Sequence, residues 1–187
     1  MAEINTDEKQ NMEESAENKP QKQKKKKSTL AFAIEFFVKI AVTAAVVTIL
    51  VIFVVGIYLN HSNSCYPMIK DGDLVITLKL ATIIPQDEIA YKLDDQIKFG
   101  RVVAMAGDVV DIRDDTLWVN DYGIFENTVY PTIAEGAKIE FPYTVPEGTV
   151  FVLNDYRSDL TDSRTYGGIP VKETKGKVFL MLRRRGF

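Results

Sequence analysis

Asn63-Ser64-Cys65-Tyr66-Pro67-Met68-Ile69-Lys70-Asp71-Gly72-Asp73-Leu74-Val75-Ile76 decides how this chain is read. A serine stands beside the chain's single cysteine, Pro67 stiffens the backbone behind them, and Asp71-Gly72-Asp73 reverses the chain. The alternating run from Leu74 to Leu80 then reads as a strand. A long apolar segment ends just before the stretch. That segment would place the stretch at a membrane surface, and the residues after it would form the β domain that holds it.

Upstream, residues 1–28 hold acids, amides and lysines with almost no large apolar side chain. Such a composition cannot offset its ordering entropy, so a disordered cytoplasmic tail is expected. It ends in Lys19, Lys22 and Lys24 to Lys27. Lysines before an apolar run are retained in the cytoplasm, although a plain solvated charge run is the other reading. Residues 29–59 are expected to form a transmembrane helix. Glu35 and Lys39 are spaced to pair on one helix face. Ile40 to Tyr58 carries no charge and as a helix spans about 28 Å, with Tyr58 in the far interfacial belt. A cleaved signal peptide fits poorly, because the tail and the run are both long and no small-residue cleavage site follows. A core helix would show an apolar period rather than all-round apolarity. The expectation is a single-pass protein of the cell membrane, N-terminus cytoplasmic, with residues 60–187 as an extracytoplasmic domain.

That domain reads as antiparallel β. Strands are expected at Leu74–Leu80, Gln96–Met105, Val109–Arg113, Thr116–Asn120, Thr149–Leu153 and Lys177–Leu182, with a hairpin at Asp114-Asp115. Residues 59–187 contain 19 acids and 15 bases, so no basic nucleic-acid surface is expected. One cysteine excludes an intrachain disulfide, one histidine excludes a His-rich metal site, and nothing suggests a metal or organic cofactor. The tail Arg183-Arg184-Arg185 is either a solvated terminus or a contact with anionic headgroups.

Two further segments are rich in polar chemistry. One is Gly100-Arg101-Val102-Val103-Ala104-Met105-Ala106-Gly107-Asp108, a strand ending in a Gly-Asp turn. The other is Asn154-Asp155-Tyr156-Arg157-Ser158-Asp159-Leu160-Thr161-Asp162-Ser163-Arg164, where Asp162 and Arg164 are placed to pair and pin the loop.

The three segments, in this order after one membrane helix, resemble the type I signal peptidases, membrane-anchored serine endopeptidases that remove signal peptides from exported proteins. The family pattern Ser-Met-x-Pro-Thr-Leu followed by Gly-Asp stands here as Ser64-Cys65-Tyr66-Pro67-Met68-Ile69 followed by Gly72-Asp73. The resemblance implies a mainly β fold of the signal-peptidase type, with Ser64 at the nucleophile position. It also implies structural roles for Arg101, Asp108, Asp155, Asp162 and Arg164. In the family a lysine activates the serine, working as a base because burial depresses its pKa. The aligned residue here is Gly100, and Leu160 stands where the family places the serine that orients that lysine. Cys65 replaces the usual Met and Met68 the usual Thr. Lys98 is a substitute base to consider, since strand residues i and i+2 share a face about 6.6 Å apart. His61 as base and Cys65 as nucleophile are the other substitutes. Two functions follow. One is a membrane-bound serine endopeptidase acting on exported preproteins. The other is a catalytically impaired relative that binds extended segments by strand addition, like the signal-peptidase-like accessory proteins of Gram-positive pilus assembly. The implied partners are preproteins or pilin-like surface proteins, and the lipid bilayer.

Overall fold

The computed structural model describes residues 29–124 and 130–183. The charged tail with Lys24 to Lys27, and Arg184 and Arg185, lie outside these residues. The chain divides into two units, residues 1–46 and 47–187.

Helix α1 runs over Thr29–Val54, with no residue buried. Its 26 residues span about 39 Å, and it is long and apolar enough to cross a bilayer. Lys39 Nζ lies 3.0 Å from Glu35 Oε1, the i, i+4 pair read from the sequence. The helix ends five residues earlier than expected. Val55–Leu59 is instead strand β1, paired antiparallel with β2 (Leu74–Leu78), from Val55 opposite Leu78 to Leu59 opposite Leu74. Tyr58 therefore packs on a core cluster of the domain. Apolarity alone did not separate helix from strand here, because β1 is as apolar as the helix before it.

Residues 47–187 hold two antiparallel sheets. The strands after β2 are β3 (Glu88–Leu93), β4 (Gln96–Met105), β5 (Val109–Arg113), β6 (Thr116–Val119), β7 (Tyr122–Gly123), β8 (Tyr143–Thr144), β9 (Thr149–Leu153), β10 (Ile169–Pro170) and β11 (Thr174–Leu182). The larger sheet has the order β1-β2-β11-β3-β4-β9-β10 and the smaller β7-β6-β5-β8. A short helix, α2 (Ser163–Tyr166), follows β9. The strands expected from sequence occur with small shifts at their ends, and β1, β3 and the two-residue strands β7, β8 and β10 are additions.

Two turn types organise the two sheets. Asp94-Asp95, Asp114-Asp115 and Asn120-Asp121 each place two successive residues at positive φ. That is the backbone of a tight two-residue hairpin, which Asp and Asn tolerate. The second type has a positive-φ residue followed by an aspartate: Gly72-Asp73, Gln86-Asp87 and Gly107-Asp108. Each aspartate accepts the N–H three residues back, from Lys70, Ile84 and Met105 respectively, at 2.8–3.0 Å. These turns open β2, β3 and β5.

Candidate active site

The turn carrying Ser64 is tied down at both ends. Asn60 N–H donates to Asp73 O and Gly72 N–H to Asn60 O, both at 2.9 Å. Cys65 and Ile69 are buried in a cluster with Val75, Ala90 and Phe99, so the turn is anchored by its own apolar side chains. Arg183 adds a third tie: its Nη2 donates to Met68 O at 2.8 Å and to Asp73 Oδ2 at 3.1 Å. Arg183 is thus tied to the serine turn rather than simply solvated. Pairing of Leu182 with Leu74 carries the next residue of β11 to the residue before β2. The Arg183 and Lys70 contacts outweigh the burial of Asp73 and hold its carboxyl below the usual value.

Ser64 is half-buried. Its Oγ accepts a hydrogen bond from Ser62 Oγ at 3.0 Å, its N–H donates to the same Ser62 Oγ at 3.1 Å, and its carbonyl accepts Tyr156 N–H at 2.9 Å. The hydroxyl opens on a cleft of about 690 Å³. Leu59–Ser62 and Ser64 form one wall, Gln96–Phe99 the other, and Thr161 closes one side. Ser64, His61 and Lys98 therefore share one cavity. Its lining includes these two basic side chains and no carboxylate. Lys98 is half-buried, with Nζ 5.3 Å from the centroid of the Tyr166 ring, a cation–π contact. Cys65 points away into the core. Burial first, then the Glu88 and Asp155 carboxyls, push its thiol pKa well up, so it is a packed thiol rather than a thiolate.

The position where the resemblance implies a lysine is closed. Gly100 is buried in β4 opposite Ile89, and a Cβ there would lie 2.5 Å from Val152 Cγ1 and 3.5 Å from Tyr91 Cε1. Leu160 carries no polar side-chain atom and reaches towards Gly136, where a Cβ would meet its Cδ1 at 2.8 Å.

Two arginines, Arg101 half-buried and Arg164 fully buried, hold the surrounding loops. Arg101 binds Asp155 through two contacts (Nε to Oδ1 2.8 Å, Nη2 to Oδ2 2.6 Å) and reaches Gln86 O at 2.9 Å. Burial lowers the Arg101 pKa less than the Asp155 hydrogen bond raises it. Arg164 is fully buried against Asp162, with Nη2 to Oδ2 at 2.7 Å, and donates to Arg157 O at 2.7 Å. Asp162 also accepts Asn154 N–H and caps α2. Two residues of this neighbourhood escaped the sequence reading, Ser62 and Glu88, and Arg183 was read only as part of the basic tail. Glu88 had a signal beside it, the Asp87 turn that starts β3.

A family model for signal peptidase, peptidase S26, matches residues 33–182. The chain belongs to the signal peptidase family. Signal peptidase I of Bacillus caldolyticus is 30% identical over 155 residues, which are 73% of this chain and 84% of that protein. A chloroplastic thylakoidal processing peptidase of Arabidopsis thaliana is 30% identical over 134 residues, 62% of this chain, which spans only 38% of that longer relative. A solved signal peptidase I from Enterococcus faecalis aligns with a TM-score of 0.47 and 26% identity, over 53% of this chain and 98% of that one. Signal peptide removal is the activity at family level.

Proposed function

We propose that the chain is a membrane-anchored serine endopeptidase of the signal peptidase I type that removes signal peptides from exported preproteins. The observation that carries the reading is that Ser64 and Lys98 line one cleft while the usual base position is occupied by Val152 and Tyr91. Ser64 Oγ attacks the scissile carbonyl, and Lys98 Nζ leaves the Tyr166 ring to take the hydroxyl proton. The same lysine then gives a proton to the leaving amine, and a water repeats the sequence to free the acyl group. The Ser64 N–H donates to the oxyanion; Ser62 Oγ, its acceptor in the free site, marks where that oxygen sits. Helix α1 is the anchor, with the N-terminus cytoplasmic and residues 60–187 outside. The substrates are extended segments of preproteins, pilin-like surface proteins of Gram-positive cells among them.

The test is cleavage of a preprotein by the full chain in detergent. Ser64→Ala and Lys98→Met are each expected to lower kcat by about 1,000-fold or more. Cleavage that survives Ser64→Ala sinks the reading, and cleavage that survives Lys98→Met removes the lysine from it. One observation favours a second reading, in which the cleft binds extended segments without cutting them: both Gly100 and Leu160 lack a group that moves a proton. Peptide binding by the wild type with no product, unchanged in Ser64→Ala, would establish it. Protease added to intact cells checks the orientation, since the β domain is expected to be digested.

A further inference from the structure

Behind the nucleophile turn lies a buried cluster of ionisable groups. Glu88, the first residue of β3, is 4% exposed, and its carboxyl oxygens are buried beside the Cys65 thiol. Its Oε2 lies 3.3 Å from Arg101 Nη2. That same nitrogen donates to Asp155 Oδ2 at 2.6 Å and to Met68 Sδ at 3.2 Å. Asp155 and Met68 lead back to the serine by short routes. Tyr156, next to Asp155, donates its N–H to the Ser64 carbonyl, and Met68 lies in the turn itself. Cys65, adjacent to Ser64, is buried against the Glu88 side. The charged and titratable groups around Glu88 are Arg101 on β4, Asp155 and Arg157 beyond β9, Cys65 on the nucleophile turn and Tyr91 on its own strand.

We propose that Glu88 is a positioning residue for Ser64, completing with Arg101 and Asp155 the buried node that fixes the nucleophile turn. The inference rests on Ser64 being the nucleophile. Of the two guanidiniums near Glu88, Arg101 and Arg157, Arg101 lies within ion-pair distance of it, and Asp155 holds the two-point contact with Arg101. Glu88 is the acid that keeps its proton, because a buried carboxylate that shares its nearest guanidinium with a second, better-bonded carboxylate is costly to ionise. Burial first and the Asp155 charge second push its pKa up to about 8, against the pull of Arg101. As a neutral acid it sits beside Arg101 without competing for it. Once ionised, it draws Arg101 from Asp155 and Met68, and the turn loosens.

Cys65 is a native reporter, since it is the only thiol and adjoins Ser64. The full chain in detergent is compared as wild type, Glu88→Gln and Glu88→Ala. Cleavage kcat and KM and the rate of Cys65 alkylation by iodoacetamide are measured from about pH 6.5 to about pH 9. Glu88→Gln, a mimic of the neutral acid, is expected to keep kcat within about threefold at the lower pH and to lose less than wild type above about pH 8. Glu88→Ala is expected to lose about tenfold in kcat with KM nearly unchanged, and to alkylate about tenfold faster. A Gln variant as impaired as Ala, or an Ala variant like wild type in both readouts, overturns the proposal. Should Glu88→Ala not fold, the ratio of wild-type to Gln alkylation decides. It is expected to rise about tenfold between the two pH limits, and a flat ratio overturns the proposal. If the wild type cleaves nothing, the peptidase reading falls, while the alkylation measurement still tests Glu88.

Discussion

Arg164 has no exposed surface, and its charge is met by Asp162 two residues away. Removing one member of such a pair strands the other as a buried charge. Asp162→Ala and Arg164→Met are each expected to destabilise the domain by about 3–5 kcal/mol in denaturant melts. The pair was visible in the sequence because both members sit in one short segment. Glu88 was not, because Arg101 meets it across a hairpin that the sequence reading did not place, and Asp155 lies far along the chain. It also predicts an unusual pH dependence. A carboxyl raised from its ordinary 4.5 to about 8 holds a proton in the folded state over a range where the unfolded state has released it. Its contribution is full below about pH 4.5 and is lost as pH rises to about 8. Melting temperatures should therefore fall across that window in the wild type, and Glu88→Gln should flatten the fall.

At the scale of elements, β4 carries the site's departure from its family. A side chain at Gly100 meets Val152 on the neighbouring strand β9. Gly100→Ala is expected to cost about 1–3 kcal/mol, since a short branched neighbour cannot swing its far end away. Adding Val152→Ala should return part of that loss, a coupling of about 1 kcal/mol or more in a double-mutant cycle. For the same reason Gly100→Lys alone is not expected to restore a base to Ser64, as a cleavage assay would show. The strands were legible wherever turn chemistry was explicit. Gly72-Asp73, Gly107-Asp108 and Asp114-Asp115 announced their turns. β3 was missed because Gln86 stands where the two equivalent turns have glycine, and Asp94-Asp95 was not read as the hairpin it forms. Lys98 was named from sequence as a substitute base by its i, i+2 spacing, and its place in the cleft wall is set by which sheet face the cleft occupies.

The whole molecule sets where the domain can be cut. β1 is the edge strand beside β2, and Lys79 N–H donates to Val54 O at 2.8 Å. A chain beginning at residue 60 loses that strand and bares the edge of β2. It should unfold at least about 2 kcal/mol more easily than one beginning at Val47, by chemical denaturation. The sequence hid this boundary because a strand that continues a membrane helix shares its apolar composition.

The seven-stranded sheet also has a history written into it. β11 lies between β2 and β3, so two strands made early wait for a neighbour made late. Until residues 174–183 have been synthesised and delivered to the same side as the rest, β2 and β3 cannot share a partner. Asp73 meanwhile lacks the guanidinium that ties the Ser64 turn. Birth order and assembly order run against each other here, and the serine's surroundings are finished only when the far end of the domain arrives.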